Sequence, residues 1–130
     1  MKSRRATRSA SLRGPQRPIV LLPSRRESSL APSVAPGLDE LGAFLPYTPL
    51  HHLLLPAFGG PLVMTSGNLS EEPIAAENQE ALDRLGRIAD AFLLHDRDIH
   101  MRSDDSVVRV SLGRERLLRR VVDAARVLED

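Results

Sequence analysis

The chain has 130 residues, 42% of them hydrophobic, with no Cys, no Trp, one Tyr and three Phe. That length supports one domain on one aliphatic core of Leu, Val, Ile and Ala, and the lack of Cys excludes disulfides, thiolate zinc sites and Cys nucleophiles. The net charge of +1 conceals an asymmetry: residues 1–17 hold Lys2, Arg4, Arg5, Arg8, Arg13 and Arg17 and no acid, so 18–130 carries −5. No apolar run reaches the ~18 residues of a membrane span and no secretory h-region is present. The expectation is a soluble cytoplasmic protein with no membrane partner.

Residues 1–16 are basic, Ser-rich and poor in aliphatic side chains, the composition of a disordered head. Such a head could touch nucleic acid or mimic a transit peptide; a solvated tail or a misplaced start is the plainer reading. Residues 17–120 form the expected domain. Ile19-Val20-Leu21-Leu22, bracketed by Pro18 and Pro23, reads as a buried strand. Residues 24–37 read as a Ser/Pro/Arg-rich loop, and 38–45 as a turn and a short strand. Thr48 is a capping residue with Pro49 at the first helical position, and the helix is expected to end near Pro56. Pro61 to Met64 reads as a central strand running into the turn Ser66-Gly67-Asn68. Ala81, Leu82, Leu85, Ile88 and Ala89 recur at helical spacing, with Glu77 and Glu80 in the first turn. Ala91 to Leu94 reads as a buried strand, and Val107 to Val110 as a half-exposed one that Gly113 turns into Arg116–Arg119. Residues 121–130 are a tail with the pattern of a short amphipathic helix. The alternation gives an α/β (α+β) class with a mixed or partly parallel sheet.

Two stretches carry chemistry. Open α/β sheets place ligands where a strand ends in a small polar turn before a helix. In Ser66-Gly67-Asn68 the glycine permits close backbone approach, while Ser66 and Asn68 supply short donors and acceptors; an ordinary strand-to-loop turn has the same residues. In the second stretch, 95–106, Arg97 and Arg102 could hold a polyphosphate or carboxylate. Asp96, Asp104 or Asp105 could contact Mg²⁺. The spacing of His95, Asp96, Asp98 and His100 fits no established transition-metal motif, and a charged surface loop is the plain alternative. His51 and His52 point about 100° apart on a helix and cannot easily share an ion. Met64 stands where a nucleophile elbow needs Gly, and neither a Walker loop nor G-x-G-x-x-G is present. Lys2 is the only lysine, so phosphate contacts in the folded part fall to Arg, backbone N–H and hydroxyl groups.

Three long motifs occur in order: Leu45-Pro46-Tyr47-Thr48-Pro49-Leu50-His51-His52-Leu53-Leu54, Met64-Thr65-Ser66-Gly67-Asn68-Leu69-Ser70-Glu71-Glu72-Pro73-Ile74, and 95–109 with Ser103-Asp104-Asp105-Ser106-Val107-Val108-Arg109. With Arg17–Leu22 and Leu30–Leu38 upstream, they resemble the YrdC-like domain of the hydrogenase-maturation carbamoyltransferases HypF over about residues 17–120. The resemblance implies a YrdC-like mixed, twisted open sheet with flanking helices, incomplete at its N-terminal side. It also implies ATP as substrate with Mg²⁺, a carbamoyl donor, and formation of carbamoyl adenylate with release of pyrophosphate. The remainder of such a protein passes the carbamoyl group to the partner HypE. By the same resemblance Thr65, Ser66 and Asn68 belong to the nucleotide element, Ser106 supplies a hydroxyl near the phosphates, and Arg119 matches a basic residue near the domain's end. No side chain is given a covalent role; adenylation needs charge neutralisation and in-line positioning.

The family's upstream Lys/Arg-bearing segment is not matched, and residues 1–16 do not resemble it, so a truncated fragment with part of a site is expected. Two other readings stand beside carbamoyl adenylation. One is a double-stranded RNA-binding YrdC-like module, opposed by the −5 charge of 18–130 unless the basic head makes the contacts. The other is an inert fragment with an exposed strand edge. The polar stretch 95–106 is expected to fold over the Ser66–Asn68 turn.

Overall fold

Pro18 and Pro23 bound the apolar run that becomes β1 (Ile19–Pro23), the strand on which the sheet is built. The structure, a computed structural model, describes residues 3–25, 30–100 and 102–120. β1 pairs antiparallel with β2 (Glu40–Ala43) and parallel with β3 (Val107–Ser111), and β3 pairs antiparallel with β4 (Arg114–Arg119). The result is an open four-stranded mixed sheet in the order β2-β1-β3-β4. Leu112 (φ 51°) and Gly113 (φ 74°) form the two-residue β3–β4 turn, the left-handed pair that matches the twist of a hairpin. A register shift at Val107/Val108 inserts one extra β4 residue, Leu118, opposite β3.

The described chain divides into two compact units. One lies within residues 1–63 and 105–121 and contains the sheet; the other spans 64–104. The core of the sheet unit is small: among the described residues Val20, Val108 and Val110 are its buried aliphatic side chains, with Val20 fully enclosed and Pro18 also buried. Val20 lies opposite Val108, and Val110 is two residues further along β3, so all three share one sheet face.

Helix α1 (Arg4–Arg13) covers that face, packing against β1, β3 and β4. This corrects the expectation of a disordered head. Composition counted the arginines but not their placement. Thr7 and Ser11, four residues apart, share one side of the helix and tie it to the hairpin. Thr7 donates to the Gly113 carbonyl at 3.2 Å, and Ser11 donates to the Glu115 carboxylate. Arg4, Arg5 and Arg13 stay exposed, where their charge costs little. Ser3 caps the first turn, accepting from the Ala6 N–H.

On the other face Arg109 pairs with Glu40 at 2.7 Å. There Gly42 lies under Ile19: a Cβ at 42 would sit 2.8 Å from the Ile19 Cγ2. Isoleucine is stiff at χ1 and cannot swing away cheaply. Gly42→Ala is therefore expected to cost about 1–3 kcal/mol of stability, measured as a lower urea midpoint with an unchanged slope.

Helix α2 (Pro49–Phe58) starts where Thr48 and Pro49 direct it, with the Thr48 hydroxyl accepting from the His51 N–H at 3.2 Å. It runs past Pro56 to Phe58, beyond the expected end. A proline in the last turn removes only one bond, and Gly59 (φ 81°) closes the helix with its N–H on the Leu55 carbonyl.

In the second unit α3 (Asn78–Leu85) ends at Gly86, before Ile88 and Ala89, which follow in a turn. Glu77 stands at the N-cap position of α3 without a side-chain capping bond, and Glu80 is in its first turn. Residues 61–64 and 91–94, read from sequence as strands, carry no ladder and are extended chain or loop. Their side chains suit a strand, but strand formation requires a paired neighbour, which composition does not supply. The amphipathic pattern at 121–130 lies outside the described residues. Among the described residues no helix is long and apolar enough to cross a membrane.

Candidate functional site

Among the described residues of the 64–104 unit none is buried, so polar bonds organise it. Arg84 is their centre. Its Nε and Nη2 donate to Glu72 Oε2 at 3.1 and 2.7 Å, Nη2 also to the Pro73 carbonyl at 2.7 Å, and Nη1 to Glu80 at 2.5 Å. Arg102 joins from the polar stretch, with Nε on the Ile74 carbonyl at 2.6 Å and Nη2 on Glu80 at 3.0 and 3.2 Å. Glu80 also accepts the Ala76 N–H at 2.9 Å. That backbone bond, then Arg102 and Arg84, lowers the Glu80 pKa from 4.5 to about 2. Two arginines and one glutamate thus clamp residues 72–76 onto the start of α3.

The clamped segment supports the small polar turn. The Ala75 N–H donates to the Gly67 carbonyl at 2.8 Å. Ser66 donates to Asn68 Oδ1 at 2.5 Å, and the Asn68 amide donates to the Leu69 carbonyl at 2.9 Å. Thr65 and Ser66 are exposed and Asn68 is half-buried. Gly67 is informative by elimination. Its φ lies outside the left-handed region, and an added Cβ would meet Leu85 Cδ1 at 3.5 Å, an ordinary contact. Neither a left-handed φ nor packing requires glycine there, and the bare backbone permits close approach.

The polar stretch 95–104 is anchored to the same support. The His95 carbonyl accepts from the Asn78 amide at 2.7 Å, and Arg102 holds Ile74 and Glu80. The Arg102 guanidinium, read from sequence as able to hold a polyphosphate or carboxylate, is thus engaged by the chain's own Glu80 carboxylate and Ile74 carbonyl. The Arg97 N–H donates to His95 Nδ1 at 3.2 Å; among the described residues its guanidinium has no ion pair. Asp104 is exposed in this unit. Among the described residues no three His, Asp or Glu side chains gather as a metal cluster. Mg²⁺ carried by phosphate oxygens needs only one or two carboxylates, and single aspartates fit that requirement.

Asp105, Ser106 and Arg119 belong to the sheet unit. Arg119 Nε donates to the Asp105 carbonyl at 3.1 Å, and the Ile19 N–H donates to the Ser106 carbonyl at 2.9 Å. A residue the sequence did not single out completes this cluster. Tyr47, just before the cap of α2, donates its hydroxyl to Asp105 Oδ1 at 2.8 Å. Burial first, then Asp105, raises the Tyr47 pKa to about 12. The Tyr47 ring meets His51 edge-on at 4.9 Å and Phe44 at 6.0 Å. His51 Nδ1 is buried without a partner among the described residues, whereas His52 is exposed. No spacing rule links Tyr47 to a partner 58 residues away; the Glu80–Arg84 pair, four apart on a helix, was readable.

Comparison with known proteins gives a consistent result. The family profile Sua5_yciO_yrdC, described as telomere recombination, matches residues 2–121, so the match takes in the head that the motifs had left out. The chain is 63% identical over 101 residues to the carbamoyltransferase HypF of Rhodobacter capsulatus and 50% identical over 103 residues to that of Synechocystis. These alignments cover 78% and 79% of this chain but 13% of each relative. The fold is similar to full-length HypF crystallised in a phosphate- and nucleotide-bound form, with a TM-score of 0.81, 51% identity, and coverage of 87% of this chain and 18% of that one. HypF of T. kodakarensis is similar at a TM-score of 0.79 and 39% identity, over 85% of this chain and 14% of that one.

Proposed function

The chain belongs to the Sua5–YciO–YrdC family as a HypF-type YrdC-like domain, and from that premise we propose that it binds ATP for carbamoyl adenylation in hydrogenase maturation. In this reaction a carbamate oxygen attacks the α-phosphorus of ATP. The bond between that phosphorus and the α–β bridging oxygen breaks, and pyrophosphate leaves with the electron pair. The product is carbamoyl adenylate, whose carbamoyl group goes on to HypE through the rest of a HypF-type protein. Mg²⁺ would supply neutralisation of the leaving phosphates, and Asp104 is the carboxylate of the 64–104 unit proposed to hold it.

The observation that carries this reading is Gly67, a glycine that neither φ nor packing requires, between two side chains that can hydrogen-bond a nucleotide. Thr65, Ser66 and Asn68 are the contacts proposed in this unit. In the sheet unit Ser106 and Arg119 are proposed as nucleotide contacts by family resemblance. With no lysine in 18–130, Arg97 is the cation proposed at the phosphates. Each of these groups binds or orients; none exchanges a covalent bond with substrate.

Calorimetric titration with ATP and Mg²⁺ tests the reading. The unaltered chain is expected to bind, and Asn68→Ala to weaken binding roughly 10- to 100-fold, the loss of one hydrogen bond to a charged ligand. Gly67→Ala is expected to melt with the unaltered chain and yet bind ATP more weakly. Equal titrations from all three folded proteins would refute the assignment.

A further inference from the structure

Asp105 and Ser106 lead into β3, and the backbone of this pair is tied to the sheet by two bonds. Arg119 Nε holds the Asp105 carbonyl at 3.1 Å, and the Ile19 N–H holds the Ser106 carbonyl at 2.9 Å. Both act on the main chain from the sheet. The Asp105 side chain is held by Tyr47, whose hydroxyl reaches Oδ1 at 2.8 Å from the start of α2. Tyr47 is itself braced. Its ring lies edge-on to His51 at 4.9 Å and at 6.0 Å from Phe44, and the next residue, Thr48, caps α2. The Tyr47 ring is therefore set by the end of β2 and the first turn of α2, and its hydroxyl transmits that position to the entry of β3.

A hydrogen bond this exposed, with Tyr47 46% accessible, adds little to folding. Its geometry is better suited to orienting a loop residue than to holding the domain together. Building on the ATP-binding reading above, we infer that Tyr47 is a positioning residue: through Asp105 it sets the orientation in which the Ser106 hydroxyl meets the phosphates of the nucleotide. Tyr47 makes no contact with the ligand in this scheme. It acts by removing alternative arrangements of the Asp105–Ser106 pair, so that the cost of ordering this loop is met before the nucleotide arrives.

Tyr47→Phe isolates the hydroxyl, since phenylalanine keeps the ring against Phe44 and His51. Nucleotide-free melting and the ATP dissociation constant are measured for the unaltered chain, Tyr47→Phe, Ser106→Ala and the double variant. The expected result is unchanged melting for Tyr47→Phe, with ATP binding weakened about tenfold. The double variant binds no worse than Ser106→Ala, because the hydroxyl acts only through Ser106. An unchanged dissociation constant for Tyr47→Phe where Ser106→Ala weakens binding overturns the inference. So do fully additive losses in the double variant, and so does a lowered melting temperature with intact affinity, which marks a purely structural bond. Failure of the unaltered, folded chain to bind ATP overturns the nucleotide reading itself, and this inference with it.

Discussion

A chain lacking residues 1–16 is expected to lose its cooperative thermal transition. Helix α1 is the cover over Val20, Val108 and Val110, the buried aliphatic side chains of the sheet unit among the described residues. Burying one valine side chain is worth about 1.5–3 kcal/mol. Re-exposing three of them costs about as much as the lower end of the 5–15 kcal/mol that holds a typical domain together. Loss of the Thr7–Gly113 and Ser11–Glu115 bonds frees the β3–β4 hairpin as well. The shortened chain should show no sigmoidal melt by circular dichroism and should bind a hydrophobic dye. A charge control separates packing from electrostatics: Arg4→Gln with Arg5→Gln alters two exposed residues and should melt with the unaltered protein. A sharp transition at the original temperature in the shortened chain would show that α1 is dispensable.

The second large effect is the acid sensitivity of the 64–104 unit. Glu80 accepts bonds from the Ala76 N–H, Arg102 and Arg84, and these lower its pKa from 4.5 to about 2. The sign of the pH effect follows. The unfolded chain takes up the proton at a higher pH than the folded one, so the folded state gains stability from Glu80 above pH 4.5. That gain declines as the pH falls below 4.5 and is gone once the pH drops through about 2. Glu80→Gln should therefore be less stable than the unaltered chain at neutral pH, and the gap between the two should roughly halve by about pH 3. Amide exchange at Ala75 and Ala76 reports it directly, because these N–H groups bind Gly67 and Glu80. Parallel pH curves for the two proteins would remove Glu80 from its place as the organiser of this unit. The prediction also reaches the candidate site, since the Ala75 bond to Gly67 is what links the clamp to the turn.

The candidate residues were legible to different depths. Ser66, Gly67 and Asn68 stood out in the sequence as a small polar turn between an apolar run and a helix, a pattern shared by ligand sites and ordinary turns. Their support did not. Arg102 looked like a phosphate ligand, and the structure gives its guanidinium to Glu80 and the Ile74 carbonyl. A guanidinium is equally suited to a phosphate, a carboxylate or a carbonyl, so residue type alone could not choose between them. The bond from Tyr47 to Asp105 was invisible for a different reason. The two residues are 58 apart, and only local pairs three or four apart on a helix leave a trace in spacing.

Local chemistry determined what depends on a few adjacent residues. Thr48 and Pro49 started α2, the pair Leu112-Gly113 lies in the hairpin turn, and Pro18 and Pro23 bounded β1. The motifs themselves were enough to point to the family. What depends on a distant neighbour was decided by tertiary structure. Apolar runs at 19–22 and 61–64 have similar composition, yet only the first is a strand, because β2 and β3 lie on either side of it. The basic head is a helix because a sheet face needed covering and Thr7 and Ser11 could reach the hairpin beneath it. Propensity is a property of a segment, whereas burial and pairing are properties of the two surfaces that meet.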